Sequence, residues 1–132
     1  MLMTPLRIRE AQLRILREAA LLHSVEAGLL HHLPDDCAQF GRGQLSRFVA
    51  GSRGRARAFG FGSEHIQGFA SLELIFGECY WELMEHRWAR RILEDKDIDR
   101  PAERFRALRE AAIFVLAKQA EITERIEEEA HS

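Results

Sequence analysis

The stretch FGFGSEHIQGFASLELIFG (59–77) decides the fold. It opens on an aromatic–glycine turn. Ser63 and Glu64 then suit a helix N-terminus, the one as a capping hydroxyl and the other as an acid at the positive end of the dipole. Ile66, Phe69, Ala70, Leu72, Leu74, Ile75 and Phe76 follow. So many apolar side chains in so few residues predict a strongly buried helix, which neighbouring elements must cover. Gly77 ends it.

The flanks supply that cover in helical periods. Upstream, Leu45, Phe48, Val49, Ser52, Ala56 and Phe59 share one face, with Gly51 and Gly54 marking a close crossing or a break. Further upstream, residues 6–33 read as one long helix: Ile8, Ala11, Ile15, Ala19 and Leu22 form its stripe, Thr4 is a candidate cap, and Pro34 stops it. From Ala19 to Leu33 this helix is apolar nearly all round, so its second half is expected to be buried. Downstream, Arg87–Leu93 reads as a short helix with Trp88, Ile92 and Leu93 inward. Residues 78–85 are ambiguous. Asp99 and Pro101 open a last helix in which Phe105, Leu108, Ala112, Val115, Gln119, Ile122 and Ile126 alternate three and four apart. No strand alternation and no repeat appear. The expectation is an all-α, single-domain helical bundle over residues 1–132, with two long terminal helices and shorter middle ones.

Composition narrows the class. The chain has 132 residues, 46% hydrophobic and 30% charged, which is an ordinary globular balance. No apolar run approaches the roughly 18–20 residues of a membrane span. MLMTPLRIRE shows no basic-then-apolar signal pattern, and two cysteines cannot staple a secreted mini-protein. A cytoplasmic location is expected. The formal charge of -2 hides a split: residues 1–66 hold nine bases and six acids, residues 67–132 ten and fifteen. Residues 37–63 carry Arg42, Arg47, Arg53, Arg55 and Arg57 and no acid.

Catalytic patterns are missing. There is no Gly-x-Ser-x-Gly, no phosphate loop ending in Lys-Ser/Thr, and no helix-borne Glu-x-x-His pair outside the extreme tail. HHLPDDC (31–37) gathers His31, His32, two Asp and Cys37, but the spacing matches no metal pattern, and helix-end polarity explains it. His23 reads as a core histidine before a haem ligand. No enzyme, cofactor or metal is expected. The alternative is a small-ligand, metal or haem-binding helical sensor using His23, His31, His32 and Cys37. Nucleic-acid binding through residues 42–57, with Phe48, Phe59 and Phe61 as stacking platforms, ranks lower because the whole chain is acidic and the phenylalanines fit a core stripe.

A protein-binding surface has most support. Cys79, Tyr80, Trp81, Leu83 and Met84 lie beside Glu78, Glu82 and Glu85, an arrangement of anchors and charged rim typical of binding hot spots. Tyr80, Trp81 and Trp88 are the expected anchors. Arg53, Arg55 and Arg57 are expected as an electrostatic face toward an acidic surface, whether the chain's own or a partner's. The acidic end EITERIEEEA (121–130) has too few neighbours to be packed along its length, so it frays or pairs with another chain, as in a homodimer, through Ile122 and Ile126.

The run 59–77, with WARRIL (88–93) and RFRALREAA (104–112), resembles a family of small all-helical bacterial proteins encoded beside type VI secretion effectors and their spike components. Their pattern is an aromatic-Gly turn, a Ser/Thr-Glu cap, an apolar helix ending Phe-Gly, a Trp-Ala…Ile-Leu helix and an Arg-rich last helix. The resemblance implies an accessory role: an immunity protein, or an adaptor or chaperone, whose partner is a secreted effector toxin or spike component. The loop ECYWELMEHR (78–87) lacks the proline of that pattern, which implies a diverged partner if the loop makes contacts.

Overall fold

The computed structural model describes residues 5–131, with side chains from Arg9 onward. The cap expected at Thr4 and the side chains of Arg7 and Ile8 lie outside the described residues. Six α-helices follow in order: α1 (Pro5–His32), α2 (Pro34–Cys37), α3 (Gln44–Ala58), α4 (Ile66–Phe76), α5 (Arg87–Leu93) and α6 (Pro101–His131). Single 3-10 turns stand at Ser63–His65, Tyr80–Glu82 and Met84–His86. No strand occurs among the described residues. The all-α architecture with long terminal helices is as the periodicity predicts.

Helix α4 is the centre. Six of its eleven residues are buried, and α1, α2 and α3 all pack on it. From there one continuous core reaches Val25 and Leu29 of α1, Cys37, Val49 and Ala56 of α3, Phe61, Leu93 of α5, and Leu108 and Ala112 of α6. Helix α6 leans on α5. Arg104 fastens its start, donating from Nη1 to the Phe59 carbonyl (2.8 Å) and from Nη2 to the Ile98 carbonyl (2.7 Å). The arginine of the RFRALREAA run is therefore a strut between the end of α3 and the turn before α6.

Several local expectations are corrected. Ser63 does not cap α4. It begins a 3-10 turn, and α4 starts behind His65 without a side-chain cap. Asp99 does not sit at the N-cap of α6: the Arg104 amide bonds to the carbonyl of Arg100. Within α4, Ile75 is exposed and the buried place beside it belongs to Glu73. Among the described side chains of α1 only Val25 and Leu29 are fully buried, while Ala27 and Leu30 face solvent. The reason is geometric: among the described residues α2, α3 and α4 are the helices that pack on α1, and they cover one side of it. Helix α3 runs unbroken through Gly51 and Gly54.

Two glycines are fixed by space and backbone. Gly77 closes α4 at φ 109°, ψ 152°, a conformation that L side chains rarely adopt. A Cβ at Gly68 would collide with the Phe105 ring, which is held by Phe61 (5.9 Å, edge-on) and stacked on His65 (5.0 Å). Because that ring cannot retreat, Gly68→Ala is expected to destabilise the fold by about 1–3 kcal/mol. Chemical denaturation with an unchanged m-value would check it.

Candidate functional site

The residues singled out in the sequence divide between two places. The first is a buried ion pair. Helix α3 presents Ser52 and Arg55 on one face, and α4 presents Glu73 toward them from inside the apolar core. The Glu73 carboxylate accepts from Ser52 Oγ (2.8 Å), from Arg55 Nε (2.9 and 3.1 Å to its two oxygens) and from the Cys79 amide (3.0 Å). Arg55 Nη1 also reaches Glu78 at 2.9 Å. Gly51 makes room for this, since a Cβ there would stand 2.9 Å from Arg55 Nη1.

The expected arginine face is therefore mostly spent inside the molecule. Arg55 pairs with Glu73 and Glu78, Arg53 pairs with Glu18 of α1, and Arg57 stays exposed. Of the two acidic surfaces considered, the chain's own meets Arg55. Glu73 was passed over in sequence because it sits within an otherwise apolar helix. The available signal was that single acid on α4 facing an acid-free, arginine-bearing segment.

The second place is the segment after α4. Cys79, at φ 55°, redirects the chain into the two 3-10 turns. Tyr80 is 1% exposed and Trp81 7%, so neither is a surface anchor. Trp81 packs on Phe59 (5.3 Å) and Phe69 (5.5 Å), and Tyr80 on Phe76 (5.2 Å) and His86 (5.6 Å). Trp88 is half-buried against Phe76 at 5.5 Å. These rings close the open end of the core, and that is why they turn inward: an aromatic side chain has a large apolar area to bury. The residues left outside are Leu83 and Met84, the latter 76% exposed, with Glu82 and Glu85 beside them. A shallow groove of about 90 Å³ runs here, floored by Trp81 and walled by Leu83, Met84, Arg87 and Arg90.

Of the residues of the sensor alternative, the neighbours His31 and His32 stand ring to ring at 4.8 Å, but the four do not form one site. His23, His31 and His32 lie on the exposed surface of α1, whereas Cys37 is buried in the core. His23 is thus not a core histidine. Among the described residues no three His, Cys, Asp or Glu side chains stand close enough to hold a metal ion. Burial pushes the Cys37 and Cys79 thiols above the usual range, so neither is primed as a nucleophile. The phenylalanines weighed as base-stacking platforms belong to the core or its margin: Phe61 is buried, Phe48 and Phe59 half-buried. No helix among the described residues is long and apolar enough to cross a membrane. No family model, no curated protein and no solved structure matches this chain.

Two predictions follow from the buried groups. Glu73→Gln leaves Arg55 without its main counter-charge and should cost about 3 kcal/mol. Adding Arg55→Met to that variant should recover part of the loss, and a double-mutant cycle on unfolding free energies reads the coupling. Burial, reinforced by the Glu73 carboxylate, pushes the phenol of Tyr80 far above its usual value of about 10. The folded state therefore holds this proton more tightly than the unfolded one. The stability it contributes is complete below about pH 10 and is lost as pH rises beyond. Tyr80 is the only tyrosine. Tyrosinate absorbance should stay flat through the ordinary range and rise only together with alkaline unfolding.

Proposed function

We propose that this chain is a protein-interaction module rather than an enzyme, acting in the cytoplasm as an immunity protein or adaptor for a type VI secretion effector. The partner it engages is the effector toxin itself or a spike component. The observation that carries the reading is the Leu83–Met84 projection. Two large apolar side chains stand in solvent on a segment that cannot relax, because Tyr80 and Trp81 on one side and His86 on the other are buried. A preformed apolar knob with a charged margin binds without a large ordering cost. Its margin mixes Glu82 and Glu85 with Arg87 and Arg90, which would set orientation more than affinity. The resemblance of residues 59–77, 88–93 and 104–112 to proteins of effector loci supplies the class of partner. The two roles share one mechanism, in which a rigid helical surface covers part of another protein, and they differ in whether the toxin is silenced in the complex.

Co-expression with the product of the neighbouring gene is the test. The two should co-purify, and Leu83→Asp with Met84→Asp should weaken the complex at least about tenfold, the equivalent of 1.4 kcal/mol, with no loss of thermal stability. Trp81→Ala is a poor probe, because it opens the core. Failure to co-purify, or a complex indifferent to both aspartates, would overturn the reading.

A further inference from the structure

The two terminal helices carry their core-facing stripes past the end of the core. On α6 the buried Leu108 and Ala112 are continued on the same face by Val115, Ile122 and Ile126, and the last two are 55% and 61% exposed. On α1 the buried Val25 and Leu29 are continued by Leu22 and Ile15, the latter 67% exposed. That stretch of α1 is a shallow apolar groove of about 350 Å³ along Arg14, Ile15, Glu18, Ala19 and Leu22. Ile15 and Leu22 are seven residues apart, as are Val115 and Ile122, the repeat that lets two helices interlock.

The charges are opposite. Along the α1 stretch Arg14 and Arg17 are joined by Arg57 of α3 against the acids Glu10 and Glu18, and Glu18 is already tied to Arg53. Residues 113–131 of α6 hold two bases against five acids. Groove and tail are thus complementary in both apolar spacing and sign. They do not pack on each other within one chain. Helix α6 is unbroken from Pro101 to His131, which carries Ile122 about 21 Å beyond Leu108, and it leans on α5 rather than lying along α1.

We propose that the occupant of the α1 groove is the α6 tail of a second copy of this chain, giving a two-fold homodimer with two identical α1–α6 seams. Such an arrangement is closed, because the two-fold axis engages the groove and the tail of both copies within the pair and leaves neither to propagate. It uses none of the residues of the Leu83–Met84 projection, so it stands or falls separately from the partner reading.

Light scattering on the full chain, across micromolar to submillimolar concentrations, provides the test. The expected mass is twice the 15.2 kDa of the chain. Ile122→Glu with Ile126→Glu should give a monomer of unchanged helicity. Arg14→Glu with Arg17→Glu should do the same, and so should Glu127→Arg with Glu129→Arg, whose positions flank the isoleucine stripe. Mixing the last two variants should restore the dimer, since both seams become complementary only in that pairing. A wild-type monomer throughout would overturn the proposal. So would a dimer that survives the isoleucine changes, or one that the isoleucine changes break while the α1 reversals leave it intact, which would mean that the tails pair with each other.

Discussion

The Glu73 carboxylate is the constraint on which the rest of the structure hangs. A charge placed in an apolar core must be fully compensated or it unfolds its surroundings. Here compensation comes from three directions: the Ser52 hydroxyl and the Arg55 guanidinium on α3, and the Cys79 amide just past the end of α4. Each donor sets a position. The first two fix how α3 lies on α4, and the third fixes where the chain turns after Gly77. A purely apolar contact would tolerate sliding by a turn, whereas a guanidinium held at Nε by Glu73 and at Nη1 by Glu78 does not.

From that turn the remainder follows. With the Cys79 amide held, Tyr80 and Trp81 are delivered to the open end of the core, where Phe59, Phe69 and Phe76 already stand. Their burial leaves Leu83 and Met84 nowhere to go but outward. Exposure of those two residues is thus a consequence of packing, not of local preference. The protein keeps an apolar knob on its surface because the segment on either side is pinned.

The charge split of the sequence is partly internal. Arg55 cancels against Glu73 and Glu78, and Arg53 against Glu18. The overhanging halves of α1 and α6 carry an excess of base on the one and of acid on the other. The fully buried core stops at Val25 on one helix and at Ala112 on the other, with Leu21 and Leu22 partly covered beyond it. The apolar stripes of the overhangs are the same stripes that fold the molecule, continued beyond the point where it has anything to bury them.

Periodicity alone determined the helices. The spacing of apolar residues with Pro34, Gly77 and Pro101 places the long helices and marks the end of α1, the end of α4 and the first residue of α6, because local backbone preference and amphipathic pattern are written residue by residue. The short α2 and the 3-10 turns are not marked in this way. The end of α4 and the whole of α5 were legible in this way. Which aromatic faces inward was not. Tyr80 and Trp81 look in sequence like anchors beside an acidic rim, and only the arrival of Phe59, Phe69 and Phe76 at the same point makes them core. Glu73 was equally hidden: in a one-dimensional pattern an acid in an apolar helix reads as a break in the stripe. Its partners lie 18 and 21 residues away, on a helix whose orientation only the folded chain supplies. The sequence by itself thus determined the class of fold and where its elements lie. The tertiary structure decided which charges are consumed within the molecule and which apolar side chains remain for a partner, because both depend on contacts between residues far apart in the chain.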